Sequence, residues 1–267
     1  MSDKTTGLLC VRLSEISDAI SLAPLENSRN KIVRSAYISM GYLLRKAICN
    51  HLDIDLDELN VDYRIVEDQE SNKRVGKIFF SDSLENGADF CNYVYSNRHL
   101  VRKELLEVFT AANSSSKFHK IFKDHNCFLS CYDCVKDYSN QFYHDYLNWR
   151  LGLDMIHLAL DSKNFPCFTT PHWKKFMETH FGNCNPAKPI IVKDKKLFVV
   201  HPLWSEAYID KIKEDNALGD YTPISVLEAE CVIYVKTNNV REAQNKIDYI
   251  GETRAKCHLI VFTLTEN

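Results

Sequence analysis

Glycine and proline are scarce: 8 and 7 in 267 residues. That excludes collagen-like and low-complexity classes, which are built on those residues. No apolar run approaches the roughly 20 residues that a membrane-spanning helix needs. The start Met1-Ser2-Asp3-Lys4 has no apolar leader core, so the expectation is a cytoplasmic protein without membrane contact. An excess of one charge is also missing, with 33 Lys and Arg against 36 Asp and Glu. A dedicated nucleic-acid binder carries a basic surplus, so charge alone favours a protein partner. No Gly-x4-Gly-Lys-Ser/Thr phosphate loop occurs, which excludes an ATP-driven motor of that type. A Gly-x-Ser-x-Gly elbow and a His-Glu-x-x-His pair are absent too, so the chain is expected not to be an enzyme.

Cysteine, by contrast, is plentiful at 10 residues. Without a leader a disulfide framework is disfavoured, and most of these thiols are expected to be small buried apolar groups. The fold class expected is α/β in the α+β sense. Apolar residues recur at three- and four-residue intervals from Asn30 to His51, predicting an amphipathic helix on a core. Gly7–Leu13, Val61–Val66 and Lys77–Phe80 read as strands, the last two joined through a charged turn. Helices are predicted over Ala88–Asn97, Leu100–Ala112 and Asn140–Leu160. Asn164-Phe-Pro166 marks a boundary between a domain at 1–163 and a small α/β domain of unknown role at 164–267. In the latter, helices are predicted at Trp173–Phe181, Ser205–Glu214 and Val240–Ile250. Its predicted strands are Ile190–Val192, Leu197–His201, Cys231–Lys236 and His258–Leu264.

One dense set of metal-ligating types stands out: His125, Cys127, Cys131 and Cys134, spaced H-x-C-x3-C-x2-C. Zinc favours four thiolate or imidazole donors in a tetrahedron, and a Cys-x2-Cys turn directs two sulfurs at one ion. A closed structural Zn2+ site is the expectation. Competing readings are that the cysteines are ordinary buried thiols at helical spacing, that His144 or His119 is the fourth ligand, or that an open catalytic site uses Asp133 as base.

The stretch Cys127-Phe-Leu-Ser-Cys131-Tyr-Asp-Cys134 and its continuation to Asp154 resembles the zinc-binding domain at the C-terminus of MrfA-type DEAD/DEAH helicases. MrfB-class and DISARM (DrmB-like) phage-defence proteins share that domain. In that family a C-x-C-x3-C-x2-C cluster runs into a Tyr-x-Asn-Gln-x-x-His signature and a Leu-Asp-Trp-Arg helix. His125 stands where the family has its first cysteine, a conservative exchange for zinc. Asn140, Gln141 and His144 match the polar signature, and Arg150 and Asp154 match the helix, with Asn148 in place of the usual Asp. Tyr37–Ala47 and Asp57-Glu58-Leu59 resemble earlier family elements. Asp82 and Gly87 match a loop in which Glu85-Asn86 replaces Pro-Gly. The resemblance covers residues 8 to 160.

Read as residues, Gln141, His144 and Asn148 share a helix face and are expected to satisfy the backbone of the zinc loop. Asp82 is expected to cap a helix, and Arg150 to pair with Asp154 one turn on. The resemblance implies a non-catalytic zinc-binding accessory subunit that associates with a DEAD/DEAH-type helicase or another defence-complex subunit, in anti-phage defence or DNA processing. A second reading is direct binding of single-stranded or branched DNA, with Tyr138, Phe142, Tyr143 and Trp149 as stacking surfaces, although these aromatics are expected in the core. A third is a metal-dependent nuclease in the C-terminal domain. Glu228, Glu230 and Lys236 lack the Glu-x-Lys spacing it needs.

Overall fold

The computed structural model describes residues 7–13, 16–22, 30–67, 74–84, 88–99, 101–102, 109, 122, 125–161, 163–181, 188–192 and 196–227. The chain forms two compact units, Met1–Pro166 and Cys167–Asn267, and its class is α+β, with helices on small sheets.

In the first unit helix α1 spans Asn30–Leu52. Every residue from Ala36 to Arg45 is buried, so the amphipathic helix predicted to pack on a core is buried on all sides through its middle. Strands β1 (Leu8–Val11), β2 (Leu59–Glu67) and β3 (Arg74–Asp82) form an antiparallel sheet in the order β1-β3-β2. Register runs from Leu59 opposite Asp82 to Glu67 opposite Arg74. Strand β3 alternates strictly, burying Gly76, Ile78, Phe80 and Asp82. A Cβ on Gly76 would lie 2.6 Å from the Tyr37 ring of α1, so glycine is what lets that ring seat on the sheet. Helix α2 (Phe90–Ser96) follows. The buried Asp82 accepts from the Cys91 backbone N–H in its first turn at 3.1 Å, the capping role expected of it. Gly87 and most of the helix predicted at Leu100–Ala112 lie outside the described residues.

Where one helix is predicted from Asn140 to Leu160, two elements occur: a 3-10 helix over Tyr138–Tyr146 and helix α3 over Trp149–Leu160. Short polar side chains make the break. Asp137 caps the first by accepting from Asn140 N–H. Asn148 is extended, with φ −137° and ψ 104°, and caps α3 by accepting from Arg150 and Leu151 N–H. Asn148 therefore leaves the face predicted for it alongside Gln141 and His144. Helix α3 packs on α1 at close range: a Cβ on Gly152 would lie 2.8 Å from Leu43 Cδ1 and 3.0 Å from the Ser39 backbone.

The second unit holds helix α4 (Pro171–Phe181), β4 (Ile190–Val192), β5 (Leu197–Val200), helix α5 (Glu206–Asp215) and β6 (Thr222–Ser225). Strand β5 lies between antiparallel β4 and parallel β6. The sequence gives no warning of β6, because Pro223 lacks the N–H a central strand needs and suits only an edge. Elements predicted at Cys231–Lys236, Val240–Ile250 and His258–Leu264, with Glu228, Glu230 and Lys236, lie outside the described residues. Among the described residues no helix is long and apolar enough to cross a membrane.

Candidate metal centre

From His125 to Asp137 the chain has no helix or strand and makes a turn at Tyr132–Val135. There Cys134 and Lys136 N–H both donate to the Cys131 carbonyl, at 3.2 and 3.0 Å. The turn aims the Cys131 N–H at Cys134 Sγ, 3.1 Å away, a contact that favours thiolate.

The metal-ligating atoms of His125, Cys127, Cys131 and Cys134 all lie within 4.8 Å of one another. Cys134 Sγ is 3.7 Å from both Cys127 Sγ and Cys131 Sγ. His125 Nε2 is 3.5 Å from Cys131 Sγ and 2.9 Å from Cys127 Sγ. A tetrahedral zinc ion with Zn–S of about 2.3 Å and Zn–N of about 2.0 Å implies S···S edges of ~3.8 Å and N···S edges of ~3.5 Å. Three of these four separations match, and only the His125–Cys127 pair is tighter. All three cysteines are free thiols. The readings as ordinary thiols at helical spacing with an exposed His125 do not describe this loop, since the cluster sits on a turn and His125 points into it.

His144 is not in the cluster. Its Nε2 lies 2.9 Å from Asn140 Oδ1 and 3.1 Å from the Asp137 carbonyl oxygen, and so donates to them. His119 lies outside the described residues. Of the two described histidines weighed, His125 is the one whose nitrogen faces the sulfurs.

The three thiols are shifted in opposite directions. A hydrogen bond from the Cys127 thiol lowers the Cys134 pKa to about 4, against burial and with help from His125. The same bond, together with burial, pushes Cys127 well above the ordinary thiol range. Burial first, then the charge on Cys134, raises Cys131.

Two helices hold this loop by its carbonyls. From α3, Arg150 Nη1 donates to the carbonyls of Cys127 at 2.9 Å and Phe128 at 2.8 Å. Trp149 Nε1 donates to the Cys127 carbonyl at 3.1 Å, and the Trp149 ring meets the His125 ring edge-on at 5.0 Å. From α1, Lys46 Nζ donates to the carbonyls of Cys134 at 2.8 Å and Lys136 at 3.1 Å. Arg45, 3% exposed, pairs with Asp137 at 2.6 Å and donates to Ser139 Oγ at 2.9 Å. Burial works upward on Asp137, yet the Ser139 hydroxyl and Arg45 together hold its carboxyl below the usual range. Irregular backbone without such donors would leave carbonyls unsatisfied.

The matched polar residues divide by role. The buried Asn140 donates to the Val135 carbonyl at 2.9 Å, and with His144 it serves the backbone just beyond the last cysteine. Gln141 is exposed and donates to the Tyr138 carbonyl at 2.8 Å. Arg150 is the clamp on the first half of the loop, and Asp154 is buried in α3. Lys46, Arg45 and Asp137 escape the sequence reading. Their signal was an Arg-Lys pair inside the otherwise apolar run Leu43–Ile48.

The aromatics expected in the core separate likewise. Trp149 is fully buried, and Tyr143 is half-buried with its ring 5.7 Å from that of Tyr42. Tyr138 and Phe142, however, are 85% and 95% exposed. The segment bends at Asn140 (φ −107°, ψ 20°), with Asn140 buried and Tyr143, His144 and Tyr146 half-buried on the inner side.

Among characterised proteins, the chain is similar to Druantia protein DruE of Escherichia coli (strain UMEA 4076-1), 26% identical over 164 residues. The match takes in 59% of this chain and 8% of that protein, so the chain spans less than a tenth of the relative's length. No protein-family profile matches. No solved structure matches either.

Proposed function

We propose that this chain is a zinc-stabilised, non-catalytic docking element that associates with a DEAD/DEAH-type helicase in an anti-phage defence complex. The observation that carries the reading is the closed donor set of His125, Cys127, Cys131 and Cys134. Four protein donors fill the four positions zinc ordinarily takes, which is the signature of a structural ion rather than a catalytic one. When bound, the ion supplies folding free energy to a loop with no regular structure of its own. Arg150, Trp149 and Lys46 orient the ligands through their carbonyls.

The defence context is supported by the likeness to a Druantia protein and by the resemblance of residues 8 to 160 to the helicase-associated zinc domain. That the likeness covers a small part of a much longer protein fits an element that works next to other machinery. The test is co-purification of the full chain with a DEAD/DEAH-type helicase from the same genome. Association in wild type that disappears in Cys131→Ser is expected. Failure of the wild-type chain to associate removes the reading.

Direct binding of single-stranded DNA is the second reading, favoured by the exposure of Tyr138 and Phe142. It requires binding to an oligonucleotide that falls steeply with salt.

A further inference from the structure

The donor set is unevenly buried. Cys134 is 2% exposed, whereas His125, Cys127 and Cys131 are half-buried, and Asn126, Tyr132 and Asp133 beside them are exposed. A small solute therefore meets the outer cysteines first and finds the inner one behind them. Thiols that meet solvent next to a cation are the reactive kind. Here the Lys46 ammonium lies on the cysteine turn, donating to the Cys134 and Lys136 carbonyls at 2.8 and 3.1 Å. Of the carboxylates near it, Asp137 is paired with Arg45, and Asp133 stands off at 4.0 Å from Cys131 Sγ.

Two of the sulfurs are also set to join. Cys131 Sγ and Cys134 Sγ are 3.7 Å apart, and both cysteines belong to one turn, closed by the Cys134 N–H on the Cys131 carbonyl at 3.2 Å. Such a turn brings its end Cα atoms within about 7 Å, which is the span a disulfide bridges. Cys127 Sγ is equally near Cys134 Sγ. It lies outside the turn, however, and its carbonyl is pinned by Trp149 and Arg150. The exposed member of the turn and its buried partner are thus the pair that geometry favours.

We infer that Cys131 and Cys134 form a peroxide-sensitive dithiol whose oxidation dismantles the donor set. Hydrogen peroxide is the oxidant. The Cys131 sulfur attacks one peroxide oxygen and the O–O bond breaks, leaving a sulfenic acid on Cys131 and, with the thiol proton, one water. The Cys134 sulfur then attacks the Cys131 sulfur. The S–O bond breaks, and the departing hydroxide takes the Cys134 proton as a second water. Two thiols lose two electrons and two protons, and one peroxide becomes two waters. Metal ligation needs thiolates, so the disulfide leaves His125 and Cys127 as the remaining donors. A dithiol reductant reverses the step. The inference rests on reading the cluster as a zinc site and adds the chemistry that switches it off.

The experiment treats the zinc-loaded full chain with stoichiometric hydrogen peroxide. Zinc release is followed with a chromogenic chelator, and disulfides are mapped by mass spectrometry after the remaining thiols are alkylated. Chymotryptic cuts after Phe128 and Tyr132 separate the three cysteines, so the pairing is read directly. Zinc is expected to leave in step with a Cys131–Cys134 disulfide, with Cys127 alkylated, and to rebind after dithiothreitol. Cys131→His keeps four donors in another standard zinc set and is expected to hold its zinc while losing the peroxide response. Zinc that stays bound in wild type, a disulfide that uses Cys127, sulfinic acid without a disulfide, or an undiminished response in Cys131→His overturns the proposal and leaves the zinc reading standing. A wild-type chain that neither carries nor takes up zinc overturns both.

Discussion

Each of the two units builds a centre from histidine and tryptophan, and the centres behave differently. In the second unit His201 is 1% exposed and ringed by Phe168, Trp173 and Trp204, with centroids 5.0 to 6.0 Å away. Its Nδ1 accepts from the Leu203 N–H at 3.2 Å, and the cluster is a hydrophobic core with a turn fastened to it. In the first unit His125 also packs on a tryptophan, but its Nε2 faces three sulfurs, and the surrounding cations reach for backbone carbonyls. Regular elements satisfy their own backbone and leave side chains free to fill space. An irregular loop spends side chains on its backbone and needs an ion to close it.

The contrast can be broken most severely at Cys134. Cys134→Ser is expected to abolish zinc retention, measured by elemental analysis, and to disorder residues 125 to 137 while leaving the near-ultraviolet signal of Trp173 and Trp204 in place. Loss of that signal as well would show that the two centres are not independent. The converse change, Trp173→Ala, is expected to cost about 3–5 kcal/mol in chemical denaturation with zinc content unaltered.

Acidity sharpens the same comparison. Cys134 is held well below the ordinary thiol range, whereas Cys127 and Cys131 are raised above it. Zinc binding therefore displaces about two thiol protons. Protons compete with the ion, so affinity is expected to rise with pH. Calorimetry in buffers of different ionisation enthalpy counts the protons, and a pH-independent affinity would contradict the thiol assignment. The smallest effect is expected at Lys46→Met, which keeps the stem and removes the donor to the Cys134 and Lys136 carbonyls. Partners that orient ligands typically contribute 10–100-fold to metal affinity, measurable by chelator competition, and Lys46→Arg is expected to recover part of it.

What could be read from the sequence was whatever local chemistry decides. The strand reading of Lys77–Phe80 and the three- and four-residue apolar spacing of Asn30–His51 locate β3 and α1, and four donors in ten residues locate the cluster. Legibility stopped where a tertiary partner decides. Tyr138 to Tyr146 carries a pattern compatible with a 3.6-residue helix. Only the caps at Asp137 and Asn148 tighten and end it, and Asp137 depends on Arg45, some 90 residues earlier. Tyr138 and Phe142 are left on the outer side of this bent segment. Lys46 and Arg150 could be seen as charges in apolar helices, but not as clamps, because the carbonyls they hold lie far off in sequence.

At position 152 a hydrogen stands where every other residue type has a carbon, and Leu43 and Ser39 occupy the room this leaves. The helix carrying Lys46 and the helix carrying Arg150 are the jaws that grip the two ends of the ligand loop. Their opening is therefore set by an atom that is absent. Adding one methyl group at Gly152 would spread the jaws and loosen the grip on four donors that Gly152 itself never touches.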